Sequence, residues 1–201
     1  MSEPSSEGDV RPGLRERKKA KTRQAIQEQA IRLFRSQGYD RTTVEQIADA
    51  ADVSPSTFFR YFPTKDAVVL TDDFDPVLVE RFRAQPRRLS AIQAARAAFT
   101  ETFRNVPAGQ VTLIEERNAL VMSVPELRAA FTDSMADSAR LFASLLAERT
   151  GRPETDAEVL ALAGAVIGIA VASLLTGGTS LAEQLRRLEA GLALLETGFT
   201  I

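Results

Sequence analysis

The 201-residue chain contains no cysteine, no histidine and no tryptophan. Without cysteine there is no disulfide framework, no thiolate nucleophile and no thiolate metal site. Without histidine, the usual general base and the commonest metal ligand are both missing. Carboxylate-only catalysis stays open in principle. Glu115 and Glu116 are adjacent, however, so on a helix they point about 100° apart and make a poor acid–base pair. No nucleophile–base motif appears, and the chain reads as a non-enzyme with no metal and no cofactor. Alternating strand patterns and Asn-Gly hairpin turns are also missing, which leaves an all-α reading. The opening stretch MSEPSSEGDVRPG lacks the apolar core of a signal peptide, so a cytoplasmic location is expected. Its Ser, Glu, Pro and Gly content predicts a disordered tail over residues 1–14.

What is present is ordinary in bulk and uneven in distribution. The apolar share of 44% and charged share of 26% suit a soluble globular protein of one large or two small domains. The net charge of −2 conceals a polarity, with residues 1–70 carrying +2 and residues 71–201 carrying −4. Seven basic residues fall within 11–23: Arg11, Arg15, Arg17, Lys18, Lys19, Lys21 and Arg23. An acidic protein can still bind nucleic acid through positive charge concentrated at one end. A solubilising tail would carry the same cluster.

The stretch Thr42 to Lys65, TTVEQIADAADVSPSTFFRYFPTK, is the most specific part of the chain. A helix over about 17–37 precedes it, with Ile26, Ala30, Leu33 and Phe34 on one stripe and Gly38 as its stop. Thr42 with Glu45, and Thr43 with Gln46, form two overlapping capping-box frames for a second helix. That helix buries Val44, Ile47, Ala48 and Ala51, and Ala51-Asp52-Val53 turns the chain. Ser54 caps a third helix with Pro55 at its first position, and Pro63 ends it. Two helices of about seven residues joined by a tight turn are a helix-turn-helix. Val53, Phe58 and Phe62 should pack inward, leaving Ser56, Thr57, Phe59, Arg60 and Tyr61 outward. Such an edge of hydroxyls, rings and one guanidinium suits phosphates, base edges and thymine methyls. Phe59 packed into the core beside Phe58 is the alternative.

These residues resemble the TetR family of bacterial transcriptional regulators. The resemblance runs through Ala30-x-x-Leu33-Phe34-x-x-x-Gly38-Tyr39 and Thr42-Thr43-Val44-x-x-Ile47-Ala48. It ends in Val53-Ser54-x-Ser56-Thr57-Phe58-Phe59-x-Tyr61-Phe62-x-x-Lys65, and it covers about residues 17–78. It implies an all-α fold: a three-helix DNA-binding domain over 15–78, its helix-turn-helix at about 43–62, and a larger helical ligand-binding and dimerisation domain over 79–201. It implies that Thr43 meets phosphate and that Ser54, Pro55, Ser56, Thr57, Phe59 and Arg60 lie in or beside the major groove. Tyr61 and Lys65 would grip phosphates, and the arm with Arg17, Lys18 and Lys21 would reach the neighbouring backbone or minor groove. Phe59 stands where the family usually has tyrosine, which removes a hydroxyl and favours an apolar thymine contact.

Downstream, helices are expected at about 65–84, 89–105, 107–123, 125–149, 154–176 and 181–199. The resemblance implies an effector cavity among them, for which the candidates are Phe99, Phe103, Arg104, Ile114, Arg117, Asn118, Val121, Met122, Phe131, Met135 and Phe142. A plain core with a solvated charged face fits the same residues. Residues 159–182 carry no charge over 24 positions, long enough to span a bilayer. Acidic flanks and the Gly177-Gly178 break weigh against a span. Gly164, Gly168 and Ala172 make a small-residue stripe, and Leu185, Leu188 and Leu192 an apolar partner face, so a homodimer seam is the preferred reading. The expected protein is a homodimeric repressor, released from a pseudo-palindromic DNA operator by a small, largely apolar effector. The alternative is a DNA-binding adaptor or architectural protein whose carboxy-terminal domain only dimerises.

Overall fold

A computed structural model describes residues 13–71, 74–104, 106–176, 178 and 180–198. Among them are ten helices and no strand. Residues 1–12, Arg11 included, lie outside the described residues, and so does nearly all of the tail expected over 1–14. Chain contacts divide the protein into two units, residues 1–68 and 69–201, so the division falls ten residues before the boundary expected at 78.

The first unit holds α1 (Leu14–Gln37), α2 (Val44–Ala50) and α3 (Pro55–Tyr61). Helix α1 buries Ile26, Ala30, Ile31 and Phe34 along its inner stripe, the 3.6-residue period of an amphipathic helix. It ends at Gly38, whose φ of 91° and ψ of 153° suit only a residue without Cβ. The two capping frames resolve into one. Thr43 accepts from the Gln46 amide at 3.3 Å while Gln46 accepts from the Thr43 amide at 3.0 Å. Thr42 is instead buried, its hydroxyl donating to the Gly38 carbonyl at 2.8 Å. The turn is held by the Val53 amide on the Ala48 carbonyl at 2.9 Å, with Asp52 at a positive φ of 54°. Ser54 then accepts from the Thr57 amide at 3.1 Å, and Pro55 opens α3. Phe58 and Phe62 are fully buried with ring centroids 5.9 Å apart, so two side chains one turn apart anchor α3.

The segment expected as one helix over 65–84 is two: α4 (Ala67–Leu70) and α5 (Phe74–Ala84). The second unit continues with α6 (Ala91–Phe103), α7 (Ala108–Ser123), α8 (Pro125–Thr150), α9 (Ala157–Thr176) and α10 (Leu181–Thr197). Its core joins Phe82 of α5, Ala94, Ala95, Ala98 and Phe99 of α6, and Phe142, Leu145 and Leu146 of α8 to Val159, Ala163 and Val166 of α9 and Leu188 and Leu192 of α10. The alanine face of α6 lets its neighbours approach closely. Gly191 does the same for α10, since a Cβ there would lie 2.6 Å from Ile169 Cγ2 of α9. Arg149 near the end of α8 donates to the carbonyls of Gln85, Pro86 and Leu89 at 3.2, 2.6 and 3.0 Å, binding the α5–α6 connection. Partial burial and the nearby Arg87 lower its pKa.

Candidate nucleic-acid interface

The two capped helices fix which side chains leave the head. With Phe58 and Phe62 locked inward, Ser54, Pro55, Ser56, Phe59 and Arg60 are exposed, and Thr57 and Tyr61 are half-buried. Phe59 is 51% exposed and meets Phe58 edge-on at 5.5 Å between centroids, so its ring is braced by the core without joining it. The core alternative for Phe59 is thereby set aside. Arg60 lies 5.4 Å from the Tyr61 ring centroid, a cation–π contact that orders the guanidinium. Ser54 is committed to capping: besides the Thr57 amide it bonds Thr57 Oγ1 and Ser56 Oγ, each at 2.9 Å. Thr43 is exposed, and because its oxygen accepts from Gln46 its own proton is left to donate to a phosphate.

Along the start of α1, Arg15, Arg17, Lys18, Lys19 and Lys21 are all exposed. Arg23 is different, its guanidinium stacking over Phe62 at 4.6 Å. The described part of the cluster is therefore an exposed basic run at the start of α1, from Arg15 to Lys21. It supplies the positive field that phosphates require.

Lys65 departs from the expectation. Its ammonium donates to the Tyr39 carbonyl at 3.0 Å and the Thr42 carbonyl at 3.2 Å, and sits 4.0 Å from the Tyr39 ring centroid. A lysine so engaged ties the chain after α3 to the loop between α1 and α2. In this structure it positions the helix-turn-helix and does not project as a phosphate grip.

In the second unit the candidate effector residues fall on two described cavities and on the packed faces of α7 and α8. A cavity of about 50 Å³ lies among α5, α6, α8 and α9, lined by Phe82, Phe99, Leu141, Phe142, Leu145 and Ile167 among others. A separate cleft of about 330 Å³ lies between α6 and α10, bordered by Phe99, Phe103, Arg104, Leu185, Arg186 and Leu188 among others. Ile114 and Val121 are buried, and Arg117, Met122, Phe131 and Met135 are half-buried, on α7 and α8. None of these six lines either cavity. Asn118 donates to Gln184 at 3.1 Å, and Glu115 accepts from the Leu181 amide at 2.8 Å. These groups therefore hold α7 to the start of α10, where a carboxylate also meets the favourable end of the helix dipole.

The seam needs a similar correction. Leu188 and Leu192 are buried in the subunit's own core, and Leu185 packs against it. Gly164, Gly168 and Ala172 are exposed, as are Leu160, Leu175 and Leu194. The outward apolar face thus belongs to α9, with Leu194 of α10.

Residues 26–71 match the family model described as bacterial regulatory proteins, tetR family, and residues 89–200 match that of the MftR C-terminal domain, a span of more than half the chain. The chain belongs to the TetR family. It is similar to the transcriptional regulator TcmR of Streptomyces glaucescens, 34% identical over 147 residues. That alignment takes in 70% of this chain and 65% of TcmR, so the chain spans just under two thirds of that relative. It is also similar to the transcriptional regulator MftR of Mycobacterium tuberculosis, 26% identical over 167 residues, with 78% of this chain and 80% of MftR aligned. Among solved structures, the TetR-family repressor FadR of Thermus thermophilus, in complex with lauroyl-CoA, shares the fold. The TM-score is 0.52 at 23% identity, over 89% of this chain and 95% of FadR. These relatives are named as regulators, not enzymes.

Within this TetR-family chain, three groups important to the structure escaped the sequence reading: Arg149, Gly191 and the clamping role of Lys65. Each acts across more than twenty residues of sequence, a separation at which local pattern carries no signal. The lone lysine after Pro63 was visible, but its carbonyl partners were not.

Proposed function

We propose that the protein is a homodimeric, DNA-binding transcriptional regulator of the cytoplasm. In this reading it is a repressor released from a pseudo-palindromic operator by a small, largely apolar effector. The observation that carries it is the capped helix-turn-helix, which buries Phe58 and Phe62 while holding Phe59 and Arg60 outward. The exposed basic start of α1 belongs to the same unit. Thr43 and Tyr61 serve as phosphate contacts, and Ser56, Thr57, Phe59 and Arg60 as groove contacts. Two heads on a two-fold axis would read half-sites about one helical turn apart.

The outward face of α9 supports the dimer. It is long and apolar enough to cross a membrane, and only 22% of its apolar window is buried in the subunit. Its inner side is held in the core by Val159, Ala163 and Val166, so the helix stays with its subunit and the small-residue stripe is left for a second copy. The small chamber favours the adaptor as a second reading, because about 50 Å³ is well below the ~300–1,000 Å³ of ordinary ligand sites. Recovery of genomic fragments with the purified protein, followed by footprinting, tests the regulator. A protected palindrome whose halves are spaced by a helical turn supports it. Salt-sensitive binding with no preferred sequence would sink it.

A further inference from the structure

We propose that the cleft between α6 and α10 is a binding site for an anionic amphiphile, a carboxylic acid bearing one apolar chain or ring, with Arg104 receiving the carboxylate. The proposal rests on reading the second unit as a sensor domain. At about 330 Å³ the cleft falls in the range of small-molecule sites. Its floor is apolar, built from Phe99, Phe103, Leu185 and Leu188.

Two hydrogen bonds set the orientation of the cleft. Gln93 donates to Glu196 at 2.9 Å and Thr100 donates to Glu189 at 2.9 Å. The two helices therefore run antiparallel, in a register that puts Arg104 across from Leu185 and Arg186. Glu189 is occupied by Thr100, about one helical turn or 6 Å along from Arg104. The basic end and the acidic end of the cleft are thus separate. Arg186 is bonded to Glu183. Arg104, at the end of α6, is exposed and has no carboxylate partner among the described residues. A ligand with its tail on the phenylalanines and its head at Arg104 would complete that end, and an Arg–carboxylate pair is well matched for two parallel hydrogen bonds.

Phe99 lines both the cleft and the smaller chamber. A tail pressed on one face of that ring bears on the chamber wall, so the cleft is placed to modulate whatever the chamber does.

The test is calorimetric titration of the full chain with decanoate and with decanol, in the absence of DNA. Decanoate should bind the wild type and bind Arg104→Gln about tenfold more weakly, the cost of one charged hydrogen-bonded contact. Arg104→Lys should recover part of the loss. Decanol should bind the wild type about as weakly as decanoate binds Arg104→Gln. Ala182→Trp, at the exposed rim, should block the cleft, while Leu141→Trp at the chamber should leave decanoate binding unchanged. The proposal is overturned by any of three results: no decanoate binding to the wild type, undiminished binding to Arg104→Gln, or loss in Leu141→Trp with retention in Ala182→Trp. Operator affinity is measured separately, so a protein that binds decanoate but no DNA would refute the regulator reading and spare the cleft.

Discussion

Replacing Lys65 by methionine separates two roles that a lysine near a DNA-reading helix can have. As a clamp, Lys65 holds the Tyr39 and Thr42 carbonyls and covers the Tyr39 ring. Hydrogen bonds from a charged donor contribute about 1.5–3 kcal/mol each, and a partly solvated cation–π contact about 0.5–1 kcal/mol. The terms share one ammonium and do not add. Lys65 is only half-buried, so water can replace part of what is lost, and a net destabilisation of the head of about 2 kcal/mol is the reasoned value. In a unit of this size that corresponds to a fall of roughly 8–16 °C in its unfolding midpoint.

The chain provides its own probe. It has two tyrosines and no tryptophan, and Tyr39 and Tyr61 both lie in the first unit. Tyrosine fluorescence therefore follows the head alone, while far-ultraviolet circular dichroism follows all ten helices. Lys65→Met should lower the fluorescence midpoint and leave most of the dichroism transition in place. If Lys65 instead gripped phosphate, its loss would lower the slope of log affinity against log salt by ~0.9 per head. The clamp leaves that slope unchanged. The paired change Lys18→Ala with Lys21→Ala, on the exposed face of α1, should do the reverse: a shallower slope with an unchanged tyrosine midpoint. An unaltered midpoint together with a shallower slope in Lys65→Met would refute the argument.

Three further outcomes are expected. Wild-type protein should bind an operator with uracil in place of thymine about 1 kcal/mol more weakly, because the exposed Phe59 ring loses methyl contacts; Phe59→Ala should be insensitive to that replacement, and equal wild-type affinity for both operators would rule out the contact. Asp156 accepts from the Glu158 amide at 2.8 Å and caps α9, which holds its carboxyl below the usual range, with Arg152 adding to the effect. Its stabilisation is thus present above the ordinary carboxylate pKa of about 4 and lost as pH falls through the lower folded value, so Asp156→Ala and wild type should differ in midpoint at neutral pH and converge in strong acid; a gap that persists there contradicts the cap. Gly168→Leu should convert the proposed dimer to monomer in sedimentation while keeping its helix content, since nothing lies within 4 Å of the added Cβ in the subunit, and a variant that still sediments as a dimer would remove α9 from the proposed seam.

The head was legible to a degree the rest was not, because its signals are local. Caps, Pro55 and the Phe58–Phe62 pair act within four residues, where sequence order and spatial order agree. Even there, two capping frames were equally good on paper. Burial of Thr42 against the Gly38 carbonyl chose between them. In the second unit the apolar stripes of α9 and α10 were visible, but periodicity does not say what covers a stripe. Leu188 and Leu192 face their own core, whereas Gly164 and Gly168 face outward. The charged run Glu115–Asn118 looked like either a solvated face or a pocket lining. Two of its members are ties to α10, made across sixty-six residues of sequence.

Those placements bear on how a ligand could act at all. The small chamber has about 50 Å³, space for only a few water molecules at ~10–15 Å³ each, so an effector larger than that must move the side chains that line it. One wall is Ile167 of α9, whose next residue, Gly168, belongs to the outward stripe assigned to the dimer seam. A close-packed interior does not deform continuously. Under the proposed function, a ligand that enlarged the chamber would select a different setting of α9 against its neighbours and, through the proposed seam, a different relation between two copies. Binding free energy couples the two events in both directions. In the proposed repressor, operator DNA would weaken effector binding by the same factor by which effector weakens operator binding. An adaptor that merely dimerises would show no such reciprocity.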